Sequence, residues 1–494
     1  MDQNKGKHQE KPFPFNIRNW LPNIDQNEIK SKLKNPNKLI RVINYNLLCD
    51  SLLPVSTHIK EHELSKLPYL NWEIRREKIL SELNEINGDL IGFEEIERDE
   101  KFMEYFIKND YNLIFKPRTG NHSEGCAIAF RKSKFDLKEI YCLNYNMNIN
   151  NQTNRNFSEI YNRDNIGLIG AFNLIGDNDT IIIFSVTHLL FNKNRGDIKL
   201  GQIYQLFQGI NILKEKYEKE NKSIYIFLSA DLNSTPRSGT YKLITTGQLN
   251  CNFVNHYEIS GQDPNNLQYC KVPEKIRAFL LKQITTTFKG ENPRINKDSY
   301  KNNYYKNIET NLPSADNIRW YNEICRVHPV INEKNQMNLE YNDSYIYKDY
   351  DLILKMPFNM FSAYSKMSIS IRDFLSNPKG DLSQKIPFNL LKDIKELDNI
   401  EVNGVKMGVK EIQKTIEFSK NLTMDLPFTT YTNYTMTTLD FIFFYANKND
   451  INVVRILSHP DIFKMVFDIG FMPNQIFPSD HFPIAADFII ENDK

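Results

Sequence analysis

Asp231 and Asn233 follow the apolar run Ile224-Tyr-Ile-Phe-Leu-Ser-Ala230 and precede Pro236. A carboxylate and an amide oxygen offered together at a strand end suit a hard divalent cation such as Mg²⁺. Two residues apart in extended geometry, they point to the same side. Asn46, Glu95 and His188 end similar apolar runs, and Asp440 and the pair Asp480-His481 open two more. Glu95, Asp231 and Asn233, with Asn46 nearby, form a metal set of few charges and several amides. Such a set leaves coordination positions for water and phosphate oxygens. A cation held there neutralises a phosphoryl oxygen and stabilises charge developing at phosphorus. His481, beside Asp480 and with Asp440 as a prospective partner, is the group to orient or deprotonate an attacking water. An acidic partner fixes its tautomer and raises its basicity. His188 is a second imidazole able to donate to the phosphate. Glu94 precedes Glu95, so simple alternation sends it to the opposite face and out of the ligand set.

These groups need strands to carry them. Leu39-Ile-Arg-Val-Ile-Asn-Tyr45, Asp89-Leu-Ile-Gly-Phe93, Ile181-Ile-Ile-Phe-Ser-Val-Thr187, Phe441-Ile-Phe-Phe-Tyr445 and Phe482-Pro-Ile-Ala-Ala-Asp-Phe-Ile-Ile490 supply them. Uninterrupted apolar runs of this length read as strands covered on both faces. Asn71 can cap a helix with Trp72, Ile79, Leu80, Leu83 and Ile86 on its apolar face, closed by Gly88. A second helix begins near Asp197, with Ile198, Ile203, Leu206, Phe207, Ile210 and Leu213 at helical spacing. Strands alternating with helices imply a layered α/β domain.

Residues 1–37 read as a polar, proline-bearing extension that can dock as a strap through Trp20 and Leu21. Residues 38–494 read as one domain with insertions at about 251–355 and 366–430. The insertions are rich in Tyr and Asn and hold helical segments at Lys271 to Leu281 and Gly408 to Lys420. Phosphate-loop and dinucleotide-binding glycine patterns and internal repeats are missing.

The 62 basic and 61 acidic residues balance, so any nucleic-acid contact has to come from a local patch or from the site itself. Lys193 and Arg195 read as a solvated loop, whereas Arg118-Thr-Gly120 and Arg163-Asp-Asn165 are loop contacts near the site. Six scattered cysteines show no Cys-x-x-Cys spacing, which argues against structural zinc or a disulfide framework and fits a reducing compartment. The expectation is a soluble, intracellular protein, cytoplasmic or mitochondrial, with no membrane partner.

In this order the motifs resemble the endonuclease/exonuclease/phosphatase superfamily, a two-sheet α/β sandwich. Within it they resemble the branch of carbon-catabolite-repression-type deadenylases, nocturnin and Angel proteins, the last most strongly. The likeness rests on Tyr45-Asn-Leu-Leu48, Glu124-Gly-Cys-Ala-Ile128, Arg163-Asp-Asn-Ile-Gly-Leu168, Thr187-His-Leu-Leu190, Arg195-Gly-Asp-Ile-Lys-Leu200, Asp231-Leu-Asn-Ser-Thr-Pro236, Leu439-Asp-Phe-Ile-Phe443 and Pro478-Ser-Asp-His481. It covers roughly 39–250 and 437–490, with a weaker echo at Ser362-Ala-Tyr-Ser365.

The resemblance implies Mg²⁺, or Mn²⁺ in its place, held by Glu95 with Asn46, Asp231 and Asn233 completing the metal and phosphate site. It implies water activation by Asp440 and His481, support from Asp480, and phosphate stabilisation by His188. Asn233 thus belongs to both the metal and the catalytic group. The implied activity is phosphoester hydrolysis at RNA 3′ ends, as a deadenylase-like 3′ exoribonuclease or a 2′,3′-cyclic phosphatase. An alternative keeps the fold as a scaffold subunit, with protein partners on the N-terminal extension and the insertions; a small-molecule or lipid-phosphate phosphatase is a third reading. Two departures flank the ligands: Ala230-Asp-Leu-Asn233 replaces the usual Gly-Asp-Phe-Asn, and Glu94 stands where Gln is usual. The short Thr435-Met-Thr-Thr-Leu439 lacks the aromatic with which the deadenylases grip adenine.

Overall fold

The computed structural model describes residues 17–57, 67–146, 163–250, 256–261, 270–271, 330–331, 337–338, 353–367, 401–402, 405–406, 428–432, 435–448, 450–460, 465 and 469–490. Most of the two proposed insertions, including the helical segments expected at Lys271 to Leu281 and Gly408 to Lys420, lies outside these residues.

The apolar runs form strands that assemble into two facing sheets. In chain order the strands are β1 Trp20–Leu21, β2 Leu39–Asn46, β3 Leu90–Ile96, β4 Tyr111–Pro117, β5 Gly125–Arg131, β6 Phe135–Asn144, β7 Ile166–Leu174, β8 Asp177–His188 and β9 Ser223–Asp231. They continue with β10 Phe361–Ser362, β11 Asp440–Ala446, β12 Ile451–Leu457 and β13 Ile484–Ile490. One sheet has the order β1-β12-β13-β2-β3-β5-β4 and the other β10-β11-β9-β8-β7-β6. Neighbours run antiparallel except β2 with β3 and β8 with β9, which are parallel. A parallel pair needs a crossover, and helices α1 Trp72–Ile86 and α3 Gly196–Lys219 supply it; α2 Glu100–Lys108 follows β3, and α4 Gly239–Thr246 follows β9.

The core has three apolar layers. Ile40, Val42, Ile128, Phe172, Phe184, Phe227, Phe444 and Phe488 pack between the sheets. Ile43, Phe93, Ile79 and Phe102 lie between the first sheet and α1 and α2, while Ile183, Ile226, Ile203 and Phe207 lie between the second sheet and α3. The result is an α/β sandwich with helices on both outer faces, the expected fold class. Because both faces of β2 and β9 are covered, all their residues are buried, which is why neither sequence alternates.

The expected helices form, with one correction. Asn71 caps α1 by accepting the Glu73 amide, but Asn87, in the left-handed conformation, closes it. Gly88 serves packing instead, since a Cβ there would meet Ile43 at 2.6 Å. All six apolar residues predicted for α3 are buried. Trp20 anchors the N-terminal segment: β1 pairs with β12, and the indole lies 4.1 Å from the Arg41 guanidinium and 4.7 Å from that of Arg455. Tyr364 contributes through its hydroxyl, which donates to the Leu457 carbonyl and accepts the Ala485 amide, joining β12 to β13. Among the described residues, no helix is long and apolar enough to cross a membrane.

Candidate active site

The topology brings one end of six strands together. β2, β3, β8 and β9 arrive there at Asn46, Glu95, His188 and Asp231; β11 and the segment before β13 start there with Asp440 and His481. His188 sits beside Asp231 in the ladder, and Asp440 sits directly opposite it. Asp231, Asp440 and His481 are buried and offer ligand atoms within 4.8 Å of one another.

Each side chain is held by identifiable contacts. Asn46 donates through its amide nitrogen to Glu95 (3.1 Å) and Asp231 (3.0 Å), tying the two carboxylates together, while its Oδ1 accepts the Leu48 amide. Asp440 binds His481 Nδ1 at 2.7 Å and accepts from Asn44 at 3.2 Å and from Thr429. Ser479 donates to the Asn46 carbonyl and accepts the His481 amide, fixing the loop that carries the histidine. Asp480 accepts from Ser56.

Burial opposes charge on His481, but Asp440 and Asp480 outweigh it and hold the imidazole well above the ordinary histidine range. His188 behaves oppositely: burial lowers it, Asp231 at 3.6 Å only partly compensates, and Arg118 pushes the same way as burial. Its Nε2 faces the Asn233 amide nitrogen at 2.8 Å, and that nitrogen also donates to the Leu189 carbonyl. In this arrangement Asn233 orients His188, and the ring nitrogen that faces it also lies 3.6 Å from the Asp231 carboxylate.

Two geometric expectations need correction. Asp231 and Asn233 do not converge by strand alternation. β9 ends at Asp231, Asn233 has φ +46°, and its backbone amide donates to Asp231 at 2.8 Å, so a tight turn brings the residues together. Lys199 on α3 pins that turn by donating to the Asn233 carbonyl; burial pushes this lysine down to about 7 against the favourable charges of Asp231 and Asp197.

Glu94, assigned by alternation to the opposite face, instead points into the sandwich. It pairs in register with Asn46, and like Gly92 two residues earlier it faces the second sheet, where a Cβ on Gly92 would meet Ser229 and Val186 within 3 Å. Glu95 reaches the same side because the ladder slips between Glu94 and Ile96 and Glu95 adopts φ +49°. A β-bulge repeats a side-chain direction that a regular strand would reverse.

Both Glu94 oxygens and Glu95 Oε2 are buried without a hydrogen-bond partner. Buried carboxylate oxygens left bare are costly unless an ion or water meets them. Beside them, Asp231, Asp440 and His481 offer ligand atoms close enough to share an ion, with Glu95 joined to Asp231 through Asn46, and these groups fit a hard divalent cation.

Sequence reasoning also passed over Asn44, Thr429 and Ser56. Asn44 was findable, being two residues before Asn46 on the same face of β2, whereas nothing local marks Thr429 or Ser56. At the rim, Arg118 pairs with Glu124 at 2.7 Å, Thr119 with Asp164 at 2.6 Å, and Arg195 with Asp197 at 2.7 Å. Arg163 is close enough to Arg195 to be disfavoured by its charge, after burial.

No family model matches the chain. By sequence it is similar to carbon catabolite repressor protein 4 homolog 3 of Arabidopsis thaliana, 31% identical over 222 residues, 45% of this chain and 46% of that protein. It is also similar to protein angel homolog 2 of Bos taurus, 30% identical over 230 residues, 46% of this chain and 40% of that protein. The matched region thus spans less than half the length of these relatives. The fold is similar to the crystal structure of ANGEL2, a 2′,3′-cyclic phosphatase, in complex with adenosine-2′,3′-vanadate. That alignment has a TM-score of 0.56 and 20% identity, covering 92% of this chain and 96% of that one.

Proposed function

We propose that the chain is a member of the endonuclease/exonuclease/phosphatase superfamily, on the branch that holds the Angel and carbon catabolite repressor proteins, and that it is a metal-dependent phosphoester hydrolase acting on RNA 3′ ends; the sequence likenesses and the shared fold support this reading. The observation that carries this reading is the buried Asp231, Asp440 and His481 group, with Glu95 joined to it through Asn46. Glu95, Asp231 and Asn233 would hold Mg²⁺ or Mn²⁺, which when bound neutralises a phosphoryl oxygen.

The protein's own groups do the rest. Asp440 engages Nδ1 of His481, so Nε2 is the ring nitrogen left to take a proton from the attacking water. The new bond forms from that water to phosphorus, the ester P–O bond breaks, and the leaving ribose oxygen receives a proton. Asn233 and His188 form one hydrogen-bonded unit beside Asp231.

Of the two RNA reactions, opening of a terminal 2′,3′-cyclic phosphate is favoured. The fold likeness to the ANGEL2 phosphatase and the missing aromatic before Asp440 support it over poly(A) trimming. Incubation with oligonucleotides ending in a cyclic phosphate and in poly(A), each with and without Mg²⁺, tests this. The expected result is Mg²⁺-dependent conversion of the cyclic end, abolished in Glu95→Ala. Inactivity on both oligonucleotides, or undiminished activity of Glu95→Ala, refutes the reading.

Cation binding is expected to weaken as pH falls. Burial first, then Asp480, raises the Glu95 carboxyl well above its ordinary range, and burial raises Asp440. A proton on either group competes with the metal, so binding strengthens with pH and releases protons. The His481 base also requires loss of a strongly held proton, so turnover shifts in the same direction. Calorimetric titration of Mn²⁺ at about pH 6 and about pH 8.5 measures the effect; equal affinity at both contradicts it.

A further inference from the structure

Among the described residues, Glu94 stands out because both of its carboxylate oxygens are bare: it is fully buried, and neither oxygen has a hydrogen-bond partner. Its strongest electrostatic neighbours are Asp440, Asp231 and His481, and the Asp231 backbone N–H favours its charged form. Its position follows from the fold: the Asn46–Glu94 register pair lies on the inner face of the first sheet, directly below the point where Glu95 bulges. A bare carboxyl among two acids contributes nothing to folding, because burial and like charge both act against it. The arrangement becomes favourable when a cation occupies the space between the oxygens.

We propose that Glu94 is a metal-ligating carboxylate, binding a divalent cation together with Asp231 and Asp440 at the floor of the active site. The proposal rests on the metal-dependent reading above and extends it to a side chain that strand alternation would exclude. It makes the ligand set richer in negative charge, which favours cation affinity.

The test is metal binding by the full chain, independent of turnover. Mn²⁺ titration followed by electron paramagnetic resonance counts bound ions and gives their affinity. Glu94→Gln keeps the shape and removes the charge, and Glu94→Asp keeps the charge but withdraws it by one methylene. Both variants are expected to bind Mn²⁺ at least about tenfold more weakly or to bind one ion fewer. Metal-free Glu94→Gln is expected to melt at or above the unmodified protein, and saturating Mn²⁺ to raise its Tm by less.

Unchanged affinity in Glu94→Gln overturns the proposal and leaves the metal-dependent reading standing. Weakening in Glu94→Gln with full retention in Glu94→Asp shows action through charge alone and overturns ligation. A metal-free Glu94→Gln that melts far below the unmodified protein assigns Glu94 a structural role and also overturns it. Absence of Mn²⁺ binding in the unmodified chain refutes both readings together.

Discussion

Replacing His481 by Ala is expected to lower the rate of cyclic-phosphate opening by about 10²- to 10⁴-fold, the range for loss of a positioned general base. The effect should fall on kcat with KM little changed, because His481 is placed to act on the water and the phosphate is held by other groups. Asp440→Asn should approach the same loss, since Asp440 sets the tautomer through its 2.7 Å contact with Nδ1. The double variant should be little worse than His481→Ala alone, because groups acting as one unit are not additive. Steady-state kinetics on the three proteins decides this. Independent, multiplying losses would mean that Asp440 and His481 do not act as a pair. Thermal melts of the same samples show whether Thr429 and Ser479, which hold Asp440 and His481, still order the loop.

The largest stability effect is expected at Asp487, remote from the chemistry. Asp487 is fully buried between two arginines and opposes both in the ladder, Arg41 on β2 and Arg455 on β12. Arg41 approaches its carboxylate at 2.6 and 2.9 Å, and Arg455 at 2.8 and 2.6 Å. Trp20 lies near both guanidinium groups. Removing the acid leaves two buried cations without their counter-charge, whereas the intact pairs themselves add little over an apolar core. Asp487→Ala should therefore lose roughly 3–5 kcal/mol of stability, read from urea or thermal unfolding. A loss below about 1 kcal/mol would show that water reaches the arginines. The cluster also matters for the site, since it locks β2, which carries Asn46, against β13, which follows His481.

Much of this molecule is legible in its residues, and the reasons are local. Runs such as Ile224 to Leu228 are apolar on both alternating sets, so they could only become strands covered on both faces, and β9 is buried throughout. Asn71 and the 3.6-residue spacing of α1 and α3 fix helices between them, because caps and periodicity act over a few residues. Polar residues at the ends of those strands identified the groups that gather in the site, since a strand end is where a buried element can present charge to solvent.

What the residues could not show is where alternation fails. Glu94 and Glu95 read as facing opposite sides, and only the slipped ladder and the positive φ at Glu95 put both on the inner face. A bulge depends on how β3 meets β5 across the sheet, which nothing within Leu90-Ile-Gly-Phe-Glu-Glu-Ile96 specifies. Asp231 and Asn233 meet through a turn for the same kind of reason: Lys199, 34 residues away, holds the Asn233 carbonyl. The pairing of Asp440 with His481 and the bridge of Asn46 between Glu95 and Asp231 span 41, 49 and 185 residues. The sequence by itself determined which elements form and which chemical groups stand at their ends. Tertiary structure decided which of those groups touch, because contact between distant strands is set by packing of the two sheets, and no short stretch of chain encodes it.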